Sequence, residues 1–412
     1  MYRRASRTRI AGALACVLTS GLVMTPAAGA AGHPGSGGRH HRSPAQPRTV
    51  TLEWVGDIAL STQRGLPPGG LARALAPVAP QLHDAQLTLG NLEGTLSSGG
   101  TSKCGPGSIG GGTCFAFQAP PSTAFQLRRL GFRLVNQANN HSEDYGPSGR
   151  AQTLHALAAA GIAQTGLPAE ITRLTAGGIR IAFLGFAPYS YDANLLDIAA
   201  ARALVRRARR RASIVVVIIH AGAEGADQLH TPRGTQFYLG ENRGNARAFA
   251  HAVINAGASI VFGSGPHVIR GIERYRGHLI AYSLGNFVGY HTLGGQGVLS
   301  QSAILRVKLN AKGRLMAARW LSIRLDDGLP RPEPSERSAK LVATLSREDF
   351  PGDHYVIRPD GRFRLAHRAR GHQPSRRSRR EVTSLWRAGD QARFDSSRGL
   401  RFRYKLEGVR RR

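Results

Sequence analysis

Six short polar clusters, each directly after an apolar run, contain residue types that could bind a metal ion. They are Gly56-Asp57, Gly90-Asn91-Leu92-Glu93, Ala138-Asn139-Asn140-His141-Ser142-Glu143-Asp144, His220-Ala221-Gly222-Ala223-Glu224, Gly265-Pro266-His267 and Ile272-Glu273. Between residues 46 and 330 the chain has only 15 acidic residues, and six of them lie in or beside these clusters. Carboxylates, amide oxygens and imidazoles are suitable ligands for a divalent ion. The clusters therefore predict a divalent-metal site if the fold brings them together.

The apolar runs before the clusters predict the strands that would position them. Predicted strands span 50–55, 87–89, 133–136, 179–186, 214–219 and 259–262, and predicted helices lie near 70–82, 122–130, 148–160, 198–211 and 242–256. Residues 214–219 are apolar at every position, which is typical of a strand covered on both faces. Strands that alternate with helices predict a layered α/β domain. In open α/β sheets, ligands bind beyond the carboxyl ends of the strands, where these clusters lie.

The pattern changes after residue 268. Shorter strands are predicted at 270–275, 278–284, 302–309 and 314–325, joined by turns that contain glycine, and this part is expected to be antiparallel. From 331 to 412 the chain is strongly basic, with 22 basic and 10 acidic residues. Within this extension, Pro359-Asp360-Gly361 predicts the turn of a hairpin over 355–365. The rest of the extension is expected to be peripheral or partly disordered.

Composition excludes some classes of function. The chain has 412 residues, a net charge of +31 and no internal apolar run long enough for a transmembrane helix, which argues against an integral membrane protein. The basic charge would suit nucleic-acid binding, but no helix-turn-helix, zinc-finger or aromatic RNA-binding signature accompanies it. Because 51 of the 56 basic residues are arginine, biased codon use accounts for part of the charge. We therefore expect no nucleic-acid partner.

The N-terminus has the pattern of an export signal. Four arginines within the first nine residues precede an apolar stretch over 10–24, and Ala28-Gly29-Ala30 offers small residues for cleavage. An uncleaved N-terminal anchor is the alternative interpretation. The predicted organisation is a signal peptide over 1–30, a flexible linker over 31–45, the main domain over 46–330 and the basic extension over 331–412.

Two cysteines remain once the predicted signal peptide is removed. Cys104 and Cys114 are ten positions apart around a glycine-rich loop. In an exported chain this arrangement predicts a disulfide that closes the loop. A metal site is the weaker alternative, because two thiolates without a nearby histidine fall short of the usual ligand number.

Several motifs occur in a fixed order along the middle of the chain. They are Gly56-Asp57-Ile58, Gly90-Asn91-Leu92-Glu93, Ala138-Asn139-Asn140-His141, His220-Ala221-Gly222-Ala223-Glu224, Pro266-His267-Val268 and Tyr282-Ser283-Leu284-Gly285-Asn286-Phe287. In this order they resemble the CapA-type poly-γ-glutamate capsule biosynthesis family, which is similar to the calcineurin-like metallophosphoesterases. The likeness covers about residues 50–290. It implies an α/β fold, a four-layer α/β/β/α metallophosphoesterase-like sandwich with a metal-dependent hydrolytic site, and it leaves the basic C-terminal extension outside.

The resemblance also implies roles for individual residues. The implied ligands of a divalent ion of manganese, iron, zinc or magnesium are Asp57, Glu93, Asn140, His220 and His267. Asp57 and His141 are the implied catalytic residues, and His141 would protonate a leaving oxygen. Asn91, Glu224 and Asn286 are the candidates for contact with substrate. Asn91 is also the alternative to Glu93 at the position of a bridging carboxylate, and Glu143 or Asp144 could orient His141.

The chain departs from the related phosphoesterases at two positions. Ala59 stands where they place a histidine after the first aspartate, and Ser264 stands where a further ligand would be expected. Three alternatives follow: the site holds one metal ion, Glu224 or another group completes it, or catalysis has given way to binding.

Two function classes therefore remain. The first is an exported metallohydrolase of the capsule-biosynthesis type, acting on a phosphoester or an anionic cell-envelope polymer. The second is a non-catalytic envelope protein that binds such a polymer or assists its export. Both place the protein outside the cytoplasm, secreted or associated with the cell envelope, where contact with the membrane surface would be peripheral.

Overall fold

The structure is a computed structural model that describes residues 48–60, 65–105, 114–293 and 295–365. The predicted signal peptide and linker, and the extension beyond residue 365, lie outside the described residues. All described residues belong to one compact unit that begins at Pro47. No helix among them is long and apolar enough to cross a membrane.

Most strands belong to two large sheets. In chain order the strands are β1 Thr49–Ile58, β2 Leu87–Leu92, β3 Thr95–Leu96, β4 Gln118–Ala119, β5 Phe132–Asn136, β6 Ala163–Thr165, β7 Thr172–Ala176, β8 Ile179–Phe186, β9 Ile214–His220, β10 Phe237–Tyr238, β11 Glu241–Asn242, β12 Ile260–Ser264, β13 Ile272–Tyr275, β14 His278–Ala281, β15 Asn286–Val288, β16 Gln301–Asn310, β17 Leu315–Asp326, β18 Leu329–Pro332, β19 Val356–Ile357 and β20 Phe363–Arg364. The first sheet has the order β18-β17-β16-β1-β2-β5-β6, with β15 also paired to β1, and the second has the order β13-β14-β12-β9-β8-β7.

The helices are α1 Gly70–Leu75, α2 Ala79–Leu82, α3 Thr123–Arg129, α4 Gly146–Ala159, α5 Ile198–Arg209, α6 Ala246–Ala256 and α7 Arg337–Asp349, with 3₁₀ turns at Ala76–Val78 and Gly297–Ser300. Helices α1 to α6 cover the outer faces of the two sheets, whereas α7 packs on the cluster between them. Side chains of α1 to α4 share one apolar cluster with the first sheet, and side chains of α5 and α6 share another with the second sheet. A third cluster fills the space between the sheets. The predicted four-layer α/β/β/α sandwich is therefore confirmed.

One buried tryptophan joins the two sheets near the candidate site. Trp54 of β1 stacks on Phe262 of β12 with ring centroids 5.6 Å apart. Its Nε1 donates a hydrogen bond of 3.2 Å to the carbonyl oxygen of Gly263. Because a buried donor must find a partner, this contact fixes β1 of the first sheet against β12 of the second.

Parallel pairing brings the predicted clusters to common edges. In the first sheet β1, β2, β5 and β6 are parallel neighbours, and in the second β8, β9, β12 and β14 are. The pairing after residue 268 differs in part from the expected antiparallel arrangement. β14 is antiparallel to the edge strand β13, but this hairpin places β14 parallel to β12, and β15 runs parallel to β1.

Residues 331–365, which the sequence assigns to the basic extension, lie in the same compact unit as the main domain. Val342 and Leu345 of α7 are buried in the cluster between the sheets. β19 and β20 pair antiparallel around the turn predicted at 359–361. The predicted domain boundaries otherwise stay predictions.

Candidate metal centre

Asp57 lies at the carboxyl end of β1 and is fully buried. The glycine before it is required by packing, because a Cβ atom on Gly56 would lie 1.8 Å from the carbonyl oxygen of Gly285. The Asp57 carboxylate accepts hydrogen bonds from Asn91 Nδ2 at 2.9 Å and from the backbone of Gly265 at 3.3 Å. The second of these bonds comes from the loop after β12, so the two sheets meet at Asp57.

Glu93 follows β2 and faces the same buried space. Its Oε1 accepts a hydrogen bond from Asn91 Nδ2 at 3.3 Å and lies 3.4 Å from His220 Nδ1. Its Oε2 lies 4.0 Å from His267 Nδ1. Ligand atoms of Asp57, Glu93 and His267 all lie within 4.8 Å of one another. The structure therefore brings together three of the predicted metal ligands.

His267 is held in an unusual backbone conformation in the loop after β12. Its φ of 59° lies in the left-handed region, which residues other than glycine rarely adopt. Its Nδ1 lies 2.8 Å from Asn286 Oδ1 and 3.2 Å from Asp57 Oδ2, and Asn286 Nδ2 donates back to the His267 carbonyl at 3.3 Å. Strained residues of this kind cluster at ligand sites, where their neighbours hold them in place.

His220 ends β9 and is fully buried. Its Nδ1 lies 3.2 Å from Asn91 Nδ2 and 3.2 Å from the hydroxyl of Ser264. Ser264, the position at which the resemblance implies a further ligand, contacts His220 through its hydroxyl. Its hydroxyl fixes the imidazole from the Nδ1 side, as neighbouring groups commonly do for ligating histidines.

His141 belongs to the loop after β5 and is paired with Asp144. The two carboxylate oxygens of Asp144 lie 2.9 and 3.1 Å from His141 Nδ1. Of the two acids that could orient His141, the structure thus places Asp144 there, whereas Glu143 pairs with Arg150 at 3.3 Å. The pairing leaves the other ring nitrogen, Nε2, free to exchange a proton with a reacting group.

Glu224 links His267 to a buried arginine. Its Oε2 lies 3.5 Å from His267 Nε2, and its Oε1 forms an ion pair with Arg243. Arg243 also contacts Glu241 at 3.2 Å and lies over the rings of Tyr189 and Tyr238. Arg243 thus supplies a fixed positive charge beside a site that is rich in carboxylates.

These groups shift one another's pKa values. Burial opposes ionisation of Asp57, but the hydrogen bond and charge of His267 lower the pKa of this carboxyl. Burial and the charge of Asp57 raise the pKa of Glu93 well above its usual range. Burial opposes protonation of His267, yet Glu93, Asp57 and Glu224 raise its pKa. Burial lowers the pKa of His220 to about 3, so this imidazole stays neutral and can act as a ligand.

Unpartnered atoms test whether the residues fit a metal ion. Fourteen side-chain nitrogen and oxygen atoms of the described residues are buried without a hydrogen-bond partner, and Glu93 Oε2, His220 Nε2 and Asn140 Oδ1 are three of them. A buried polar atom left without a partner costs about 1–3 kcal/mol, so such atoms call for an explanation. These three belong to predicted ligands and are donor types that divalent ions bind. The residues present therefore fit a divalent metal ion.

Comparison with known proteins places the chain in a family. The family described as bacterial capsule synthesis protein PGA_cap matches residues 51–291, which is more than half of the chain. The chain belongs to this family. All the predicted ligands and His141 lie within the matched capsule synthesis region.

Two curated relatives carry names that concern capsule synthesis. The PGA biosynthesis protein CapA of Bacillus subtilis (strain 168) is 29% identical over 239 residues, which are 54% of this chain and 58% of that protein. The capsule biosynthesis protein CapA of Bacillus anthracis is 29% identical over 240 residues, 53% of this chain and 54% of that protein. The chain thus spans a little over half the length of these relatives.

Among solved structures, the 5′-nucleotidase precursor from Thermus thermophilus is similar to this chain at a TM-score of 0.40 and 15% identity. The alignment covers 73% of this chain and 59% of that chain. This likeness is distant.

The candidates for contact with substrate all have protein partners. Asn91 donates to both Asp57 and Glu93, Glu224 pairs with Arg243, and Asn286 holds His267. Asn140 lies in the loop of His141, and its carbonyl accepts a hydrogen bond from Lys103 Nζ at 2.9 Å. The roles of these residues toward substrate and of Asn140 toward a metal ion stay predictions.

Some residues of the site are absent from the sequence-based set. Asn136 and Asn139 each donate to Asn91 Oδ1, at 2.9 and 3.2 Å, and so orient its amide toward the two carboxylates. Arg243 lies at the start of the helix predicted near 242–256, where no sequence pattern distinguishes it from a surface arginine. Asn139 lies in a polar cluster identified from the sequence, but its role as a partner of Asn91 depends on a contact between residues 48 positions apart.

Proposed function

We propose that this member of the capsule synthesis family is a metal-dependent hydrolase that works outside the cytoplasm. Its substrate would be a phosphoester or an anionic polymer of the cell envelope. The observation that carries the proposal is the buried group of Asp57, Glu93 and His267, whose ligand atoms lie within 4.8 Å. The names of the two relatives support a role in PGA or capsule biosynthesis, and the N-terminal sequence pattern supports export.

Asp57, Glu93 and His267 would hold the divalent ion, with His220 and Asn140 as further ligands. The ion would supply a Lewis acid and an activated water or hydroxide. His141 would exchange a proton with the reacting oxygen through Nε2 while Asp144 holds Nδ1. Burial, the largest influence, lowers the pKa of His141, whereas Asp144 opposes this shift, so the imidazole is neutral at neutral pH.

Metal analysis and turnover of bis-p-nitrophenyl phosphate with Mn²⁺ test this proposal on the full chain. We expect Asp57→Asn to lose the ion and the turnover, because it removes a ligand charge. His141→Gln should keep the ion and lose about 10²- to 10⁴-fold in turnover, the usual contribution of a general acid or base. Exposed Asp326→Asn is the matched control and should change neither. A wild-type protein that binds no metal and stays inert would contradict the proposal.

A second candidate function, binding of an anionic polymer, is supported by an arginine-lined cavity beside α5. This cavity of about 430 Å³ is lined by Ala169, Ile171, Arg173, Arg207, Arg210 and Arg211. A neighbouring cavity of about 700 Å³ shares Ala169, Arg207 and Arg210 with it. None of these four arginines forms an ion pair with another described residue.

Guanidinium groups that form no ion pair with the described residues, set around a concave surface, suit the carboxylates or phosphates of a polyanion. Calorimetric titration with poly-γ-glutamate at two salt concentrations tests this function. The triple variant Arg207→Gln/Arg210→Gln/Arg211→Gln should bind at least tenfold more weakly than wild type. The control Arg129→Gln/Arg314→Gln/Arg324→Gln removes the same charge from exposed sites elsewhere and should lose less than threefold. Equal losses in both variants would show that net charge, rather than this cavity, attracts the polymer.

A further inference from the structure

A disulfide lies close in sequence to two residues that contact Asp144, the partner of His141. Cys104 and Cys114 are bonded, with Cα atoms 5.6 Å apart. Lys103 directly precedes the first cysteine, and Phe117 follows the second by three residues. Both of these residues contact Asp144, so the disulfide ties together the two chain segments that hold it.

Lys103 holds the loop of His141 through three hydrogen bonds. Its Nζ lies 2.7 Å from Asp144 Oδ1 and donates to the carbonyl of Asn140 at 2.9 Å. Its backbone N–H donates to the carbonyl of Asp144 at 2.8 Å. Asp144 is fully buried, whereas the Lys103 side chain is 35% exposed. The lysine thus neutralises a buried carboxylate and fixes the backbone on either side of His141.

Phe117 holds the same pair from the other side of the disulfide. Its backbone N–H donates to Asp144 Oδ2 at 2.6 Å. Its ring stacks on the imidazole of His141 with centroids 4.4 Å apart. The Phe117 carbonyl accepts a hydrogen bond from the backbone of Thr95 at 2.9 Å, which anchors the segment to β3.

We infer that Lys103 and Phe117 are positioning residues for His141 and that the disulfide Cys104–Cys114 keeps both in place. Asp144 is held by His141, Lys103 Nζ and the backbone of Phe117 at its carboxylate, and by the backbone of Lys103 at its carbonyl. Because both oxygens of this carboxylate are fixed, the imidazole that is hydrogen-bonded to it is held in one orientation. Opening the disulfide would free both flanking segments at once. The chemical consequence rests on the proposed role of His141, whereas the positioning itself does not.

The positioning can be measured without any turnover. The Phe117 ring shifts the NMR signals of the stacked His141 ring, and His141→Gln identifies these signals by removing them. Phe117→Leu gives the unstacked reference. In Cys104→Ser/Cys114→Ser and in Lys103→Met, we expect the His141 signals to move at least halfway toward that reference. Lys103→Arg should preserve them, and Lys312→Met, which removes an exposed lysine, should leave them unchanged. Unchanged His141 signals in both the cysteine and Lys103→Met variants, with an unfolding temperature like that of wild type, overturn the inference.

Turnover of bis-p-nitrophenyl phosphate with Mn²⁺ then separates this inference from the proposed function. Lys103→Met and the double cysteine variant should lose about 10- to 100-fold in kcat, with KM and Mn²⁺ affinity within twofold of wild type. Lys103→Arg should recover most of the loss. A wild-type protein without turnover refutes the hydrolase proposal alone, and the NMR signals still decide the positioning. Moved signals with unchanged kcat would refute the catalytic consequence.

Discussion

Nδ1 of His267 lies 3.2 Å from the carboxylate of Asp57, although the two residues belong to different sheets. Asp57 is the penultimate residue of β1 in the first sheet, and His267 follows β12 in the second. The sandwich places the carboxyl ends of these strands beside each other, so residues far apart in sequence become one buried site. Three predictions rest on residues at or near this junction, and a fourth rests on Glu273 of β13.

The backbone of His267 predicts an inverted order of stability for two variants. Glycine adopts a φ of 59° without penalty, whereas alanine in the left-handed region costs about 1–2 kcal/mol. His267→Gly should therefore be more stable than His267→Ala by about 1 kcal/mol, although glycine usually destabilises a fold. Urea unfolding of both variants measures the difference. If alanine is the more stable variant, the left-handed conformation is wrong.

The hydrogen bond of Trp54 predicts a link between core packing and metal affinity. Trp54→Phe leaves the Gly263 carbonyl buried without its partner, which costs about 1–3 kcal/mol. Trp320→Phe is the matched control, because its buried Nε1 donates to Ser338 at 2.9 Å in another part of the fold. Both variants should lose similar stability in urea unfolding, but only Trp54→Phe should weaken Mn²⁺ binding. Equal Mn²⁺ affinity in the two variants would argue against the role of Trp54 in aligning the sheets.

The buried pair of Arg243 and Glu224 predicts a non-additive double variant. Arg243→Gln leaves the Glu224 carboxylate without its arginine and should cost about 3 kcal/mol. Adding Glu224→Gln removes the unpaired charge, so the double variant should regain at least about 1 kcal/mol. Chemical denaturation of wild type, both single variants and the double variant gives the coupling energy. Additive losses would show that the two side chains do not interact in solution.

Glu273 predicts a loss of stability in acid. Burial opposes ionisation of Glu273, but hydrogen bonds from His251 at 2.9 Å and Tyr282 at 2.6 Å lower its pKa below the usual 4.5. Because the folded state binds this proton more weakly than the unfolded state, the stabilisation is present above pH 4.5. It falls away as the pH drops through the lower pKa of the folded protein.

The variant Glu273→Gln should therefore unfold at a lower temperature than wild type near neutral pH, and the difference should shrink below pH 4.5. Thermal unfolding from pH 3 to pH 8 measures this. Glu348→Gln removes an exposed glutamate and should show no such pH-dependent difference. A difference that stays constant across the range would contradict the assigned pKa direction.

The order of strands and helices could be predicted from the sequence because each element carries its own pattern. Residues 214–219 are apolar throughout and form the central strand β9, and the helix predicted at 198–211 is α5. The polar residues Asp57, Glu93 and His267 were identified because each follows a strand. Such local signals identify site residues because ligands bind at the carboxyl ends of the strands, and the sequence pattern indicates where each strand ends.

Contacts between distant residues could not be predicted in this way. Nothing near Arg243 in the sequence indicates that it pairs with Glu224, and nothing near Asn286 indicates that it holds His267. β15 pairs in parallel with β1 of the first sheet. It has only three residues, and a sequence pattern of that length does not indicate which strand it pairs with. Such pairings depend on how the two sheets pack, and that is a property of the whole chain.

The division of the candidate site between two sheets bears on how the protein would fold and persist. Asp57 and Glu93 come from the first sheet, and His220 and His267 come from the second, so these candidate ligands meet only after the sheets have docked. An ion that binds this set would stabilise the native state alone. If the sheets dock after the folding transition state, the ion would slow unfolding and leave the folding rate unchanged. Metal supply would then control how long the folded protein lasts, rather than how quickly it forms.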